Sequence, residues 1–146
     1  MQISSRFTIA LHIFACIHTF EGKHKITSDF LATSINVNPV IIRRVLQQLK
    51  ANELVTVTRG SGGAEIAKPV VEISLFDVYN AVEVVNKKGL FHFHEHPSPN
   101  CSVGKNIHQV LDSKLDLIQK AMEDQMKAMS LQEVMTDIDH YVAVNP

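Results

Sequence analysis

No apolar run in this chain of 146 residues approaches the ~20 residues of a membrane-spanning helix. That excludes a helical membrane protein. Cysteine is scarce: Cys16 and Cys101 are the whole supply. Two thiols cannot build a disulfide framework, and they point to a reducing, cytoplasmic setting. The first residues, MQISSRFTIALHIFACI, carry an early Arg6, but His12 and His18 interrupt the apolar run and no small-residue cleavage site follows. A mature helix is expected there, not a signal peptide. Repeats and low-complexity tracts are absent as well. So are the phosphate loop G-x-x-x-x-G-K-[ST], the nucleophile elbow G-x-S-x-G and the zinc motif H-E-x-x-H. No carboxylate pair or nucleophile is placed to help a catalytic histidine, so no enzymatic activity is expected.

Net charge is also small, −1 overall, yet it is unevenly spread. Residues 1–68 carry eight Lys/Arg against four Asp/Glu, residues 69–102 two against four, and residues 103–146 four against seven. A basic first half beside an acidic second half suggests an anionic partner for the first half alone. The hydrophobic share of 45% is enough for a real core.

The pattern along the chain is mostly helical. Phe7, Ala10, Leu11, Phe14 and Ile17 share one face of a helix over 5–20. Thr27 caps a short second helix, with Asp29 in its first turn. Asn38 and Pro39 form a strong start, N-cap then first helical position, for a helix to about residue 51. Ile42, Val45, Leu46 and Leu49 give it one core-facing stripe, which leaves Val40, Arg43, Arg44 and Gln47 outside. Residues 54–58 alternate as a strand. Gly60-Ser61-Gly62-Gly63 turns, and residues 64–67 return as its partner. Ser74 and Asp77 open a fourth helix with Leu75, Val78, Tyr79 and Val82 on its apolar face. Residues 86–102 have no period and form a long loop. A helix over 103–129 follows, roughly 40 Å long, long enough to extend beyond its own domain and pack on a partner. Ser130 and Glu133 form a capping box for a last short helix. The expected divisions are a helical unit with its hairpin over 1–85, this long loop over 86–102, and the long helix with its C-terminal companion over 103–146.

Helix, short helix, tight turn, capped helix and hairpin is the winged helix-turn-helix order. The fold class is therefore mainly α with a small β-hairpin. Arg43, Arg44 and Gln47 supply long hydrogen-bonding side chains able to reach base edges. The helix start at Asn38 and Val40 can set its free amides against phosphate. Arg59, among Gly60, Ser61 and the following glycines, supplies a cation slim enough for a narrow groove. Double-stranded DNA is the expected partner.

The stretches VNPVIIRRVLQQLKANELVTVTRGSGGAEIAKP (37–69), ISLFDVYNAVE (73–83), NCSVGKNI (100–107) and SLQEVM (130–135) resemble the Rrf-type winged-helix regulators. That family includes the iron–sulfur cluster regulator, the nitric-oxide-sensing repressor and the cysteine-metabolism repressor. The resemblance implies a homodimer packed through the long helix, two recognition helices on a palindromic operator, repression, and a sensing loop before the long helix. It places Arg43 and its neighbours in the major groove and Arg59 in the minor groove. Cluster-binding members carry three loop cysteines, and only Cys101 matches here. No iron–sulfur cluster or other cofactor is expected.

Two roles for the loop compete with a passive one. Cys101, just before the long helix, is placed for a stabilised thiolate and redox sensing. His92, His94 and His96 alternate, so an extended segment would turn them to one side as weak metal-ligand candidates, with Cys101 or His108 to complete the set. A metal-responsive regulator is thus one alternative. A protein-interaction module that kept the fold without binding DNA is another. Cys16 and the methionines Met122, Met126 and Met129 are expected to be packing residues.

Overall fold

A computed structural model describes residues 3–60, 63–83 and 89–146. Its elements run α1 (Ser5–Phe20), α2 (Ser28–Ile35), α3 (Pro39–Ala51), β1 (Val55–Thr58), β2 (Gly63–Ile66), a short 3-10 turn (Val70–Glu72), α4 (Leu75–Val82), α5 (Ser102–Ala128) and α6 (Leu131–Val144). This is a winged helix with a long C-terminal helix, as the sequence predicts. Among the described residues no helix is long and apolar enough to cross a membrane.

Local signals explain most boundaries. The Thr27 hydroxyl accepts the Phe30 N–H at 3.1 Å, and Asn36 ends α2 in the left-handed region. Ser74 and Asp77 close a reciprocal capping box at α4, with bonds of 2.9 and 3.0 Å. The Glu133 carboxylate accepts the Ser130 N–H at 2.8 Å at the start of α6. Satisfying amides that a helix leaves without partners fixes where each one begins.

The core centres on α1. Ile9, Ala10, Ile13, Phe14, Cys16 and Ile17 are all buried there. This is a wider face than the predicted stripe, in which Phe7 and Leu11 turn out to be only partly covered. The reason is topological: α2, α3, α4, α6 and β2 all contact α1, so it is enclosed on more than one side. On α3 the predicted stripe holds, with Ile42, Val45, Leu46 and Leu49 buried. Fully burying a side chain of this size stabilises by about 1.5–3 kcal/mol. Leu131 and Met135 of α6 are wholly buried in the same core. The expected division at residue 102 thus separates chain segments but not cores, and its boundary at 85/86 lies outside the described residues.

The hairpin pairs antiparallel, Val55 with Ile66 through Thr58 with Gly63. Gly63 has φ +80°, and a Cβ there would stand 2.7 Å from the Ile26 carbonyl oxygen. Only glycine permits that approach. The next amide, Ala64, donates to the same oxygen at 2.8 Å. The wing is thereby tied to the chain just ahead of α2.

A second tie joins the start of α4 to the start of α6. Ser74 and Ser130 face each other in an isolated antiparallel bridge. Leu75 N–H donates to Met129 O at 2.9 Å and Leu131 N–H to Ile73 O at 2.8 Å. His18 on α1 also meets both carboxylate oxygens of Asp139 on α6, at 2.9 and 3.0 Å.

Candidate nucleic-acid interface

Asn38 sets the start of α3: its Oδ1 accepts the Val40 N–H at 2.8 Å and its carbonyl the Ile41 N–H at 3.0 Å. Pro39 has no N–H to offer. This corrects the expectation that free amides at this helix start face phosphate, because the cap and the tight first turn already use them. The Val40 side chain, in contrast, is exposed.

Beyond that first turn, Arg43, Arg44 and Gln47 are exposed on α3, opposite the buried stripe. Between α3 and the wing lies a cleft of about 220 Å³ lined by Ser28, Arg43, Leu46, Gln47, Lys50, Val57 and Arg59. The structure thus brings Arg43, Gln47 and Arg59 together across about sixteen residues of chain. Arg44 does not line the cleft. Gly60 has φ +84° at the turn, and Ser61, also expected in the wing contact, lies outside the described residues.

Lys50 and Ser28 belong to this surface although sequence reasoning did not select them. Lys50 was discoverable: 43, 47 and 50 follow i, i+4, i+7 along one helix face. Ser28 was not, because its place depends on how α2 packs against α3. The Arg43 guanidinium also meets Asp29 of α2, Nη2 to Oδ1 at 3.6 Å. The result is a concave surface with three cations and a glutamine amide, framed by a helix that fits a major groove and a hairpin slim enough for a neighbouring groove.

Proteins of known sequence and known structure are similar to this chain over most of its length. The profile of the Rrf2 family, described as "Iron-dependent Transcriptional regulator", matches residues 3–137. The chain belongs to the Rrf2 family. "Putative HTH-type transcriptional regulator YwnA" of Bacillus subtilis (strain 168) is 39% identical over 137 residues, covering 94% of this chain and 99% of that protein. The crystal structure of "a putative DNA binding protein" has 36% identity and a TM-score of 0.72, covering 90% of this chain and 99% of that one. At 16% identity, T. potens IscR shares the fold, with a TM-score of 0.68 and coverage of 94% and 88%. Rrf2 proteins are transcriptional regulators built on a DNA-binding fold, not enzymes.

The loop that precedes α5 lies apart from the cleft. The amide of Leu90 donates to Gln119 Oε1 at 3.0 Å, which pins the loop to α5. Phe91, His92, Phe93, His94, Glu95, His96 and His108 line an open hollow of about 480 Å³. His94 stacks on His108 with ring centroids 5.8 Å apart, and Phe93 lies 4.8 Å from the same ring. His92, His94 and His96 thus line one hollow together with His108, and His96 has φ +56°. Among the described residues no group of three or more His, Cys, Asp or Glu gathers closely enough to hold a metal ion.

Two thiols contrast in this structure. Cys16 is buried and its Sγ lies 3.2 Å from the Ser34 hydroxyl. Burial pushes its pKa up, more than that contact lowers it. Cys101 is exposed at the N-cap of α5. The amides of Gly104 and then Val103 draw its pKa down, although the side chain stops short of full capping geometry.

Proposed function

We propose that this Rrf2 protein is a sequence-specific repressor that binds a palindromic operator as a homodimer. The cleft between α3 and the wing carries the proposal. Arg43 and Gln47 are suited to base edges, Lys50 and Ser28 to phosphate, and Arg59 at the wing to a narrow minor groove. Arg44 and Val40 extend the same exposed face. Selection of bound sequences from random duplex DNA tests it. The expected product is an inverted repeat with half-sites about one helical turn apart, bound with an affinity that falls steeply with salt. A protein that enriches no sequence and shows no salt-dependent duplex binding is not this regulator. Repression is checked separately by a reporter placed behind the recovered operator.

The second subunit is supported by α5. No residue of this 27-residue helix is buried. Its outer side carries Val103, Val110 and Leu117, each half to two-thirds exposed, with Ile118 beside them. Positions 103, 110 and 117 recur every seven residues, the spacing of a helix-to-helix seam. We assign this seam to contact with a second copy.

Cys101 supplies a redox input to the same reading. A peroxide oxidises its thiolate to a sulfenic acid and is itself reduced to water. Operator affinity changes when this occurs. A Cys101→Ser variant is expected to bind the operator yet ignore peroxide. A variant that still responds like the parent removes Cys101 from the mechanism.

A further inference from the structure

The carboxylate of Asp29 is out of place on a surface suited to a polyanion. It belongs to the first turn of α2, and its side chain is 80% exposed. Its partner, the Arg43 guanidinium, is 55% exposed and 3.6 Å away. An exposed pair of this kind contributes little to stability. The cap of α2 is supplied by Thr27, so Asp29 is not needed to begin the helix. Of the three cations in the cleft, Arg43 alone has a carboxylate partner among the described residues. Lys50 and Arg59 have none there.

Arginine chemistry suggests what the carboxylate does. The guanidinium presents five donors in a rigid fork, and a bidentate contact to guanine O6 and N7 occupies one edge of it. On its flexible stem an unrestrained arginine also reaches the nearest phosphate, and phosphate contacts carry no sequence information. A carboxylate at the other edge repels phosphate and keeps the fork in one orientation.

We infer that Asp29 is a positioning residue for DNA readout. It holds Arg43 on base edges, so the protein loses general affinity for duplex DNA and gains selectivity at one base pair. This inference rests on the DNA-binding reading above. The test compares the parent with Asp29→Asn, which removes the charge and keeps the shape. Each binds two probes over a range of salt: the duplex recovered by selection and a mixed-sequence duplex of equal length.

Asp29→Asn should bind the mixed-sequence probe more tightly. The ratio of selected to mixed affinity should fall by about fivefold or more, the low end of what one bidentate base contact discriminates. The salt slope on the mixed probe should steepen by about 0.9, as for one added phosphate contact. In an Arg43→Ala background the same substitution should change neither quantity. An unchanged ratio and slope in Asp29→Asn overturns the inference while the DNA-binding reading stands. Equal shifts with and without Arg43 overturn it too, since Asp29 then acts as a bare charge. A parent protein without salt-dependent duplex binding overturns both.

Discussion

Helices α3 and α5 are both amphipathic, and they divide their faces in opposite ways. On α3 the apolar stripe Ile42, Val45, Leu46 and Leu49 is fully used by the core, and the face left in solvent is cationic and amide-rich. On α5 nothing is fully buried, and the face left in solvent includes Val103, Val110, Leu117 and Ile118. A helix whose leftover face is charged has its fold within one chain and its partner among polar molecules. A helix whose leftover face is apolar has not finished burying what its sequence encodes. The two surfaces therefore suit different kinds of contact, one a polyanion and the other a protein.

Substitutions can break this contrast, and the largest effect belongs to α5. Leu117→Glu places an unpaired carboxylate in each half of the proposed seam. Each costs at least about 2 kcal/mol, and every ~1.4 kcal/mol is tenfold in affinity, so the dimer Kd should rise about 1000-fold. Sedimentation should then return the 16.3 kDa of one chain where the parent returns twice that. A variant that still sediments as a dimer moves the contact to another face.

Next in size is the core side of α3. Leu49→Ala should lower unfolding stability by about 2–5 kcal/mol, read from the urea midpoint. Val110→Ala, made in the monomeric Leu117→Glu background, should stay within about 0.5 kcal/mol. Equal losses at the two sites would erase the distinction between the helices. Arg59→Ala should weaken operator binding by roughly 1–3 kcal/mol, about fivefold to 150-fold, and leave the urea midpoint in place. Unchanged affinity at moderate salt would remove the wing from the interface.

The smallest effect sharpens the contrast at the level of single thiols. Cys101 has a lowered pKa, so its thiolate is lost only as pH falls through that lowered value. Cys16 has a raised one and is buried. At neutral pH iodoacetamide should therefore modify Cys101 first and Cys16 only on unfolding, as mass spectrometry of the peptides would show. Simultaneous labelling of the native protein would contradict that environment.

Much of α3 was legible in the sequence because its causes are local. Asn38-Pro39 announces the start, and the 3.6-residue period separates Ile42 from Arg43. The caps at Thr27 and Ser74 were legible for the same reason. What stayed hidden depends on contacts between distant segments. Nothing near Leu131 or Met135 says that they complete a core built around α1. Nothing near Asp29 says that it will face Arg43. The amides at the start of α3 were misread because a cap and the hydrogen bonds it consumes come from the same residues. In the loop, alternation predicted one side for His92, His94 and His96, and all three line one hollow, but the place of His108 beside them depends on how the loop folds back on α5.

The seat of Leu131 and Met135 also bears on the order in which the protein is made. Helix α1 leaves the ribosome first, and the side chains of α6 that cover it come more than a hundred residues later. At ~5–20 residues per second, α1 waits on the order of ten seconds for that cover. By the end of this interval α1 to α4 have been made, and the apolar surface that Leu131 and Met135 will cover is still open. Synthesis of a working domain is therefore a race between completion of the last helix and capture of that surface by chaperones or by other unfinished chains.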